Sequence, residues 1–343
     1  MSEERIQEIK TATTKRFAEQ WRFNFASNRQ TIQQSPNVQI LKNKFMEVPA
    51  ILVGAGPSLD KNLRYLARAK ERTVLIASDA ALKPLLKHGI EPELIMVLDP
   101  QEEIAKFLTG VPSKKFTLVA PTIVHPRILD LWEGKVIFYH KFAPDIPVLV
   151  KIQKEMPQVG VLTPGGSVLS VAYDLAFQMG TSPIIFVGQD LSYDKKNTYS
   201  RAGENDGQTL ENVFTSQEEN IIYEKGINGE TLPTLKSMSV SKQWFNWAFT
   251  NWKRNAQPEI FNCSEAGIMT DHCGIITFRE VLFRHCVKRF NPSWSIKKLY
   301  VELFRVDKVI LDHPPRKEQN NLFFNHLGSI YILDQYIESN LQI

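Results

Sequence analysis

Short aliphatic runs alternate with amphipathic segments of helical length from residue 50 onward. Segments such as residues 62–68, 80–87 and 168–179 separate the runs. Strands of a parallel sheet that helices cover on both faces give continuous aliphatic runs of this kind. Right-handed crossovers then predict an α/β fold, with a doubly wound, Rossmann-like, mostly parallel sheet and ligands at its carboxyl edge. The runs are residues 50–53, 73–77, 94–98, 116–120, 136–139 and 183–187.

Two helical segments flank this region. Residues 1–48 are polar and helical in pattern, with loosely spaced aromatic residues such as Phe17 and Trp21. We interpret them as an N-terminal cap that packs on the next domain, rather than as a partner-binding helix. The predicted domains are therefore this cap, a nucleotide-binding catalytic domain over residues 49–285, and a C-terminal helical segment over 286–343. The terminal helices could equally pack on the core or form the interface of a homo-oligomer.

The chain becomes polar after Tyr193. Residues 194–220 are too long and too polar for a simple connector, and their position after a strand favours a mobile lid over a plain surface excursion. Residues 223–231 have a hairpin pattern, in which Asn228-Gly229 suits a type I′ turn. Residues 241–254 are predicted to form a helix whose aromatic side chains (Trp244, Phe245, Trp247) belong to the core.

Composition excludes several classes of protein. Of 343 residues, 43% are apolar, which is enough for a sizeable core. Lys plus Arg number 41 against 37 Asp plus Glu, and this surplus of +4 does not indicate nucleic-acid binding. No apolar run is long enough to span a membrane, and the first residues lack the apolar core of a signal peptide. We expect a cytoplasmic protein with no membrane span.

The cysteines predict neither a disulfide framework nor a metal site. Their number is odd, no Cys-x-x-Cys pair occurs, and their spacing to His272 and His285 matches no usual zinc site. We therefore assign no metal ligands. The cysteines are Cys263, Cys273 and Cys286.

The strongest local signal is a glycine loop, residues 54–58 (Gly-Ala-Gly-Pro-Ser), directly between a strand and a helix. Glycine allows a sharp turn and a close approach to a ligand, and the free N–H groups of the helix start favour an anion, most often a phosphate. We expect Ser58 to cap the helix. The loop lacks the Gly-Lys-Ser/Thr of a P-loop and the third glycine of the dinucleotide fingerprint. An ordinary tight turn is the alternative.

A second turn, the Gly-Gly-Ser turn at residues 163–167, opens another helix. The same physics applies to Gly165 and Gly166, with Ser167 as helix cap or ligand donor. A well-capped helix is the simpler explanation for this turn alone. Two such turns in one α/β domain together favour a bound nucleotide.

Aspartates end three of the predicted strands. Asp79, Asp99 and Asp190 should face the ligand crevice, where carboxylates accept hydrogen bonds from ribose or base, or hold a metal. A helix cap or Asx turn is the alternative for each, and suits Asp79 well. Asp190 has the least obvious capping role and is the best single polar candidate.

Histidines after other strands are weaker candidates. His125 follows residues 116–120 and is suited to general acid or base chemistry, although a histidine satisfied by a backbone partner explains it equally well. His140 and Lys141 leave the same two alternatives open. The chain has no Gly-x-Ser-x-Gly elbow and no His-Glu-x-x-His motif.

These segments resemble the MptE-like domain family. The resemblance covers residues 50–283 and is carried by Gly54-Ala55-Gly56-Pro57-Ser58-Leu59, Leu98-Asp99-Pro100, Gly165-Gly166-Ser167-Val168 and Gly188-Gln189-Asp190-Leu191, with residues 261–267 beyond them. The family includes archaeal 6-hydroxymethyl-7,8-dihydropterin pyrophosphokinases and bacterial motility accessory factors, which are implicated as glycosyltransferases that attach nonulosonic acids to protein Ser/Thr. The same segments are similar to bacterial CMP-sialic-acid sialyltransferases.

The resemblance implies a site. The glycine loop would surround the donor phosphate, the Gly-Gly-Ser turn would hold the donor from the opposite side, and Asp79 and Asp99 would line the nucleotide pocket. Asp190 with Tyr193 would close the site, and Ala55 departs from the asparagine of the sialyltransferase loop. The implied catalytic residues are Asp190, Tyr193 and, from its place after a strand, His125; the implied binding residues are Gly54, Gly56, Pro57, Ser58, Asp79, Asp99, Gly165, Gly166, Ser167 and Gly188.

Three functions follow from these observations. The first is transfer of a nonulosonic acid from a CMP-activated donor to a hydroxyl of a small molecule, glycan or protein Ser/Thr. The second is ATP-dependent pyrophosphoryl transfer to a hydroxymethylpterin, which would need Mg²⁺ on Asp79 and Asp99. The third is non-catalytic nucleotide binding. We expect the first, with no cofactor required.

Overall fold

The computed structural model describes residues 3–194, 198–200, 210–292 and 295–300, with side chains from residue 17 onward. The chain divides into two compact units, Met1–Ile296 and Lys297–Ile343. The sheet and the ten helices that surround it belong to the first unit. The predicted domain boundaries stay predictions, and most of the segment predicted over 286–343 lies outside the described residues.

A nine-stranded sheet organises the first unit, and every pairing in it is parallel. The predicted Rossmann-like α/β fold is therefore confirmed. The strands are β1 Ala50–Val53, β2 Val74–Ser78, β3 Leu94–Met96, β4 Thr117–Pro121, β5 Lys135–Lys141, β6 Val161–Leu162, β7 Ile184–Val187, β10 Ile260–Asn262 and β11 Gly274–Ile275, in the order β11-β10-β7-β1-β2-β3-β4-β5-β6. A separate antiparallel hairpin pairs β8 Ile221–Lys225 with β9 Thr231–Leu235.

The strand order contains a switch point between β1 and β7. The chain builds the sheet outward from β1 to β6, then crosses back and lays β7 on the other side of β1. The loops after β1 and β7 therefore leave the sheet side by side, and they open a crevice at its carboxyl edge, where open α/β sheets bind ligands.

Ten α-helices lie wholly within the described residues. They are α1 Glu3–Gln34, α2 Leu59–Leu66, α3 Asp79–Lys87, α4 Ala105–Leu108, α5 Pro126–Asp130, α6 Pro147–Glu155, α7 Val168–Met179, α8 Leu210–Ser216, α9 Lys236–Asn251 and α10 Phe278–His285. Since α2, α3 and α7 each follow a parallel strand, their N-termini lie at the carboxyl edge. None of the described helices has both the length and the apolar character needed to cross a membrane.

The two faces of the sheet bury different side chains. Ile51 and Val53 of β1 pack with Leu59 and Leu63 of α2 and with Phe278 of α10 on one face. The opposite face is aromatic, with rings of α7 and α9 packed against a ring of β7. These rings are Tyr173, Phe186, Phe245 and Phe249. The helix predicted at 241–254 thus supplies core residues, although Trp247 is half exposed.

Helix α1 is fastened to the carboxyl edge by buried amides. Asn24 Nδ2 donates to the carbonyl oxygens of Pro100 and Ile123, both at 2.9 Å, and Asn28 Nδ2 donates to Val124 O at 2.7 Å. These carbonyls belong to the loops after β3 and β4. The helix packs on the sheet domain, as its interpretation as a cap requires.

The hairpin is confirmed, but its turn differs from the prediction. Lys225 pairs with Thr231, which leaves a five-residue loop, and Gly226 N donates to Glu230 O at 2.7 Å. Gly229 has φ +86° while Asn228 is not in the left-handed region. A type I′ turn requires positive φ at both central residues, so that assignment was wrong.

Candidate functional site

The glycine loop and the loop after β7 touch through their backbones. Gly56 N donates to Gly188 O at 2.9 Å. A Cβ on Gly54 would lie 2.5 Å from Gly188 O, and one on Gly188 would lie 2.4 Å from Gly54 O. Both distances are shorter than real side chains allow. The glycines at these positions are therefore required by the close crossing of two loops at the switch point.

Asp190 locks this crossing. Its Oδ2 accepts from Ser58 N at 2.8 Å, and its Oδ1 accepts from the Ser58 hydroxyl. Burial raises the pKa of Asp190 to about 6, although the bonds from Ser58 and the charge of Lys61 lower it. A buried carboxylate thus already occupies the first N–H at the start of α2. Ser58 occupies the N-cap position of that helix, as predicted, but its side chain makes no hydrogen bond to the helix, so the predicted side-chain cap was wrong.

The segment that follows β10, residues 264–267, supports the Asp190 loop (residues 188–193) from behind. Gln189 N donates to the Ser264 hydroxyl at 3.0 Å, and Ile268 N donates to Asp190 O at 2.9 Å. Gly267 has φ +91°, and a Cβ there would lie 2.3 Å from Asp190 O. The backbone of Asp190 is consequently held on both sides.

The Gly-Gly-Ser turn lies beside the same crossing. Gln189 Nε2 is 3.5 Å from Ser167 Oγ, which links the turn to the Asp190 loop. A Cβ on Gly165 would lie 2.1 Å from the Trp244 ring, and Gly166 has φ +87°. Within the described residues, the N–H groups of Ser167, Val168 and Leu169 have no acceptor. The start of α7 therefore keeps the free donors that an anion needs.

Two aspartates extend the crevice along the sheet edge. Asp79 is buried at the start of α3, where Ser78 is the cap and Asp79 Oδ1 accepts from Ala80 N at 2.8 Å. Burial raises the pKa of Asp79 to about 7, and the nearby Asp99 carboxylate adds to the rise. Asp99, half-buried after β3, also has a raised pKa through burial, which Lys141 opposes.

Two more residues lie here, one a weaker candidate and one that was not predicted. Lys141 ends β5 close to Asp99, and burial lowers the pKa of its ammonium group while Asp99 raises it. Tyr199 lies near Asp79 and Asp99, and its neighbour Ser200 donates its N–H to Ala55 O at 2.9 Å. A charged residue two positions after an aliphatic run was the signal for Lys141. Tyr199 had none, because a long polar segment separates it from the strand.

His125, His140 and Tyr193 differ in how close they lie to this crevice. His125 begins α5, where its Nδ1 accepts from Arg127 N at 3.3 Å, three strands from β1 or roughly 15 Å away. His140 is buried between Thr122 Oγ1 and Met156 O, both at 2.9 Å. Tyr193 is buried beside Tyr199, with burial raising its pKa to about 12.

The predicted site thus separates into residues that meet and one that does not. His125 lies outside the crevice, and the catalytic and binding roles of all of them stay predictions. Of the predicted lid, residues 195–197 and 201–209 lie outside the described residues. The structure brings to the β1–β7 crevice and its extension Gly54, Gly56, Pro57, Ser58, Asp79, Asp99, Gly165, Gly166, Ser167, Gly188, Asp190 and Tyr193.

Metal ligands do not cluster in the part of the chain that the structure describes: no three His, Cys, Asp or Glu side chains converge there. The cysteines are free thiols, two of them buried. The described residues therefore do not form an all-protein metal cage, although one or two carboxylates suffice for Mg²⁺ when substrate phosphates supply the other ligands.

An all-parallel sheet with glycine turns and acidic side chains at its switch point defines the class of Rossmann-like α/β proteins. Within that class, the family model described as 6-hydroxymethylpterin diphosphokinase MptE-like matches residues 23–196, just over half of the chain. The chain belongs to this MptE-like family, and the resemblance predicted from its glycine and aspartate motifs is confirmed. The match includes the glycine loop, both aspartates of the extension, the Gly-Gly-Ser turn and Asp190.

Two individual proteins are similar to the chain. An uncharacterized protein of Treponema pallidum (strain Nichols) is 28% identical over 181 residues, which are 52% of this chain and 31% of that protein. The solved structure of a MAf glycosyltransferase from Magnetospirillum magneticum AMB-1 matches with a TM-score of 0.56 at 20% identity, covering 75% of this chain and 37% of the other. The chain thus spans about a third of the length of each, and the second likeness shows a shared fold.

Proposed function

We propose that the chain is a glycosyltransferase of the motility-accessory-factor type. It transfers a nonulosonic acid from a CMP-activated donor to an acceptor hydroxyl. One observation carries the proposal: the free N–H groups at the start of α7 lie beside the loops that cross at the switch point. The glycosyltransferase fold found in the Magnetospirillum protein supports the same class of reaction.

The start of α7 is the better of two anion sites. At α2 the Ser58 N–H is taken by Asp190, whereas Ser167, Val168 and Leu169 at α7 have free N–H groups among the described residues. The donor phosphate would bind there with the Ser167 hydroxyl. The glycine loop and Asp190 would form the rigid wall opposite, because the two loops fix each other.

The reaction breaks the bond between the anomeric carbon of the sugar and the phosphate oxygen. The electron pair leaves with CMP, which the α7 dipole and N–H groups stabilise as charge develops. The acceptor oxygen forms the new bond, and its proton passes to a carboxylate. Asp79 is the carboxylate we assign, because it borders the crevice and its pKa of about 7 suits proton transfer near neutral pH.

A thermal-shift screen tests the proposal. The full chain is melted with CMP, CDP, CTP, AMP and ATP, each with and without Mg²⁺, since a ligand that binds only the folded state raises the melting temperature. Stabilisation by CMP without metal is expected. The absence of a shift with every nucleotide would overturn nucleotide-dependent transfer.

A charge placed at the start of α7 locates the site. Ser167→Asp puts a carboxylate among the free N–H groups and should remove the CMP shift, because it competes with and repels the phosphate. Ser27→Asp makes the same change on the exposed face of α1 and should leave the shift intact. Equal CMP shifts in both variants would show that the phosphate binds elsewhere.

A diphosphokinase acting on a hydroxymethylpterin is the second candidate, after the enzyme for which the family is named. The proximity of Asp79 and Asp99 favours it; burial raises the pKa of Asp79, and the Asp99 carboxylate adds to that rise. These two carboxylates fit Mg²⁺, which would neutralise charge on ATP phosphates when bound. Stabilisation by ATP only with Mg²⁺, lost in Asp99→Asn, would select this function over glycosyl transfer.

A further inference from the structure

An open cleft of about 720 Å³ lies between α2 and the start of α10, outside the β1–β7 crevice. Its walls carry three cationic side chains and two carboxylates that matter for its chemistry. They are Lys61, Arg64 and Arg279, and Asp60 and Glu265.

One end of the cleft adjoins the proposed catalytic crevice, because Ser200 donates its hydroxyl to Asp60 and its N–H to Ala55 O of the glycine loop. Lys61 Nζ donates to Glu265 O at 3.1 Å, and its charge lowers the pKa of Asp190. Glu265 directly follows Ser264, whose hydroxyl accepts from Gln189 N. A molecule lying in the cleft therefore has one end beside the Asp190 loop.

The charges in the cleft are unequally satisfied. Asp60 accepts from the Ser200 hydroxyl at 2.5 Å, and Glu265 Oε1 accepts from Phe278 N at 3.2 Å. Arg64 and Arg279 are exposed, and no carboxylate of the described residues lies within salt-bridge distance of either. With three cationic side chains against two carboxylates, the cleft keeps a positive charge, and the guanidinium groups of Arg64 and Arg279 are placed to bind the carboxylates of a ligand.

The ring of Tyr65 helps to fix one of these cations. The guanidinium carbon of Arg64 lies 4.7 Å from the centre of the half-buried Tyr65 ring. Stacking of this kind reduces the rotamer freedom that a surface arginine would lose on binding a ligand. Arg64 is thus partly pre-oriented for recognition.

We propose that this cleft binds an acidic peptide segment of the acceptor protein and presents its hydroxyl residue at the Asp60 end. The inference rests on the proposed glycosyl transfer and names its acceptor class. The eight residues of α2 span about 12 Å, which matches about four residues of extended chain. The open shape allows a chain to continue beyond both ends, as a segment of a larger protein must.

Fluorescence anisotropy with two labelled peptides tests the proposal on the full chain. One is a serine-containing peptide rich in aspartate, and the other has asparagine in place of every aspartate. The double variant Arg64→Glu, Arg279→Glu should weaken binding of the aspartate peptide by about tenfold or more, because two charge-assisted contacts become repulsive. Equal binding of the two peptides to the unmodified chain would overturn recognition by charge.

A matched double variant controls for net charge. Lys154→Glu with Lys288→Glu changes the charge equally at exposed positions that do not line the cleft. It should weaken peptide binding by no more than about twofold, the effect of a screened surface field. Equal losses in both double variants, or no loss in the first, would overturn the cleft as the binding site.

The CMP shift separates this inference from the proposed function. Both double variants should retain the shift, since neither touches the start of α7. If CMP stabilises the chain but the aspartate peptide does not bind, the acceptor inference fails alone. If the peptide binds in the cleft but no nucleotide stabilises the chain, the proposed function fails and the cleft is a peptide site of another activity.

Discussion

Gly188 shows how a single missing side chain shapes the site. Its φ is +68°, and a Cβ there would lie 2.4 Å from Gly54 O. We expect Gly188→Ala to cost about 3 kcal/mol or more, because backbone strain adds to a clash with backbone that cannot rotate away. The CMP shift should fall as well, since the two loops would separate. Chemical denaturation and the nucleotide screen measure both effects.

Gly89→Ala is the matched control. Gly89 has nearly the same φ, +69°, but nothing lies within 4 Å of its Cβ position. It should cost only the strain, about 1 kcal/mol, and leave nucleotide binding unchanged. If the two variants lose equal stability, the contact between the loops contributes nothing and the glycine is there for its φ alone.

At the scale of elements, the β8–β9 hairpin fastens the Asp190 loop. The buried Thr234 hydroxyl donates to Leu191 O at 2.6 Å, and Tyr193 N donates to Pro233 O at 2.9 Å. Thr234→Val keeps the shape but leaves Leu191 O without this donor, so it should cost about 1–2 kcal/mol and weaken the CMP shift. Thr231→Val, at an exposed position of the same strand, should change stability by less than about 0.5 kcal/mol. Equal effects would show that the hydrogen bond is dispensable.

Helix α1 fastens the loop that carries Asp99 in the same way. Asn24→Leu removes the donor to Pro100 O and Ile123 O from a fully buried position. We expect a loss of about 2–3 kcal/mol by urea denaturation, because two buried carbonyls lose a partner. Gln30→Leu, on the exposed face of α1, is the control and should be nearly neutral. A neutral Asn24→Leu would mean that the helix is held by apolar packing alone.

The elements differ in how well the sequence predicts them. The run at residues 50–53 and the segment at 168–179 coincide with β1 and α7. A continuous aliphatic run is typical of a buried strand, and the segment that forms α7 is long enough to show the helical period. The short strands β6, β10 and β11 were not predicted, because two or three residues form a strand only when a neighbour pairs with them. The type I′ turn failed for a related reason, since the register of the hairpin decided the loop length.

At the scale of the molecule, the sequence predicts the features that depend on local pattern and not those that depend on long-range contacts. The carboxyl-edge position of Asp79, Asp99 and Asp190 followed from their places after strands. The bond between Ser58 and Asp190 joins residues 132 positions apart. Local sequence assigns the Ser58 hydroxyl to the helix N-terminus, whereas in the structure this hydroxyl donates to Asp190. The Lys61 cleft likewise depends on α2 meeting the start of α10, which no local pattern encodes.

The buried acids give the whole molecule an unusual dependence on pH. Burial raises the pKa of Asp79 from 3.8 to about 7, and the pKa values of Asp174 and Asp190 to about 6. Because the folded state holds these protons more tightly than the unfolded state, their contribution to stability is full below about pH 4 and is lost as pH rises to about 7. The free energy of unfolding should therefore fall over this interval.

Asp79→Asn isolates the largest part of that fall. The amide has no charge to bury, so the variant should melt above the unmodified chain at about pH 8, where the difference amounts to a few kcal/mol, and close to it or below it at about pH 4. Asp130→Asn, at an exposed position, should follow the unmodified chain at both values. If Asp79→Asn is the less stable protein at every pH, the carboxylate is held by contacts that outweigh its burial. A variant that is more stable at about pH 8 yet loses nucleotide-dependent transfer would show that Asp79 is retained for the reaction at the expense of stability.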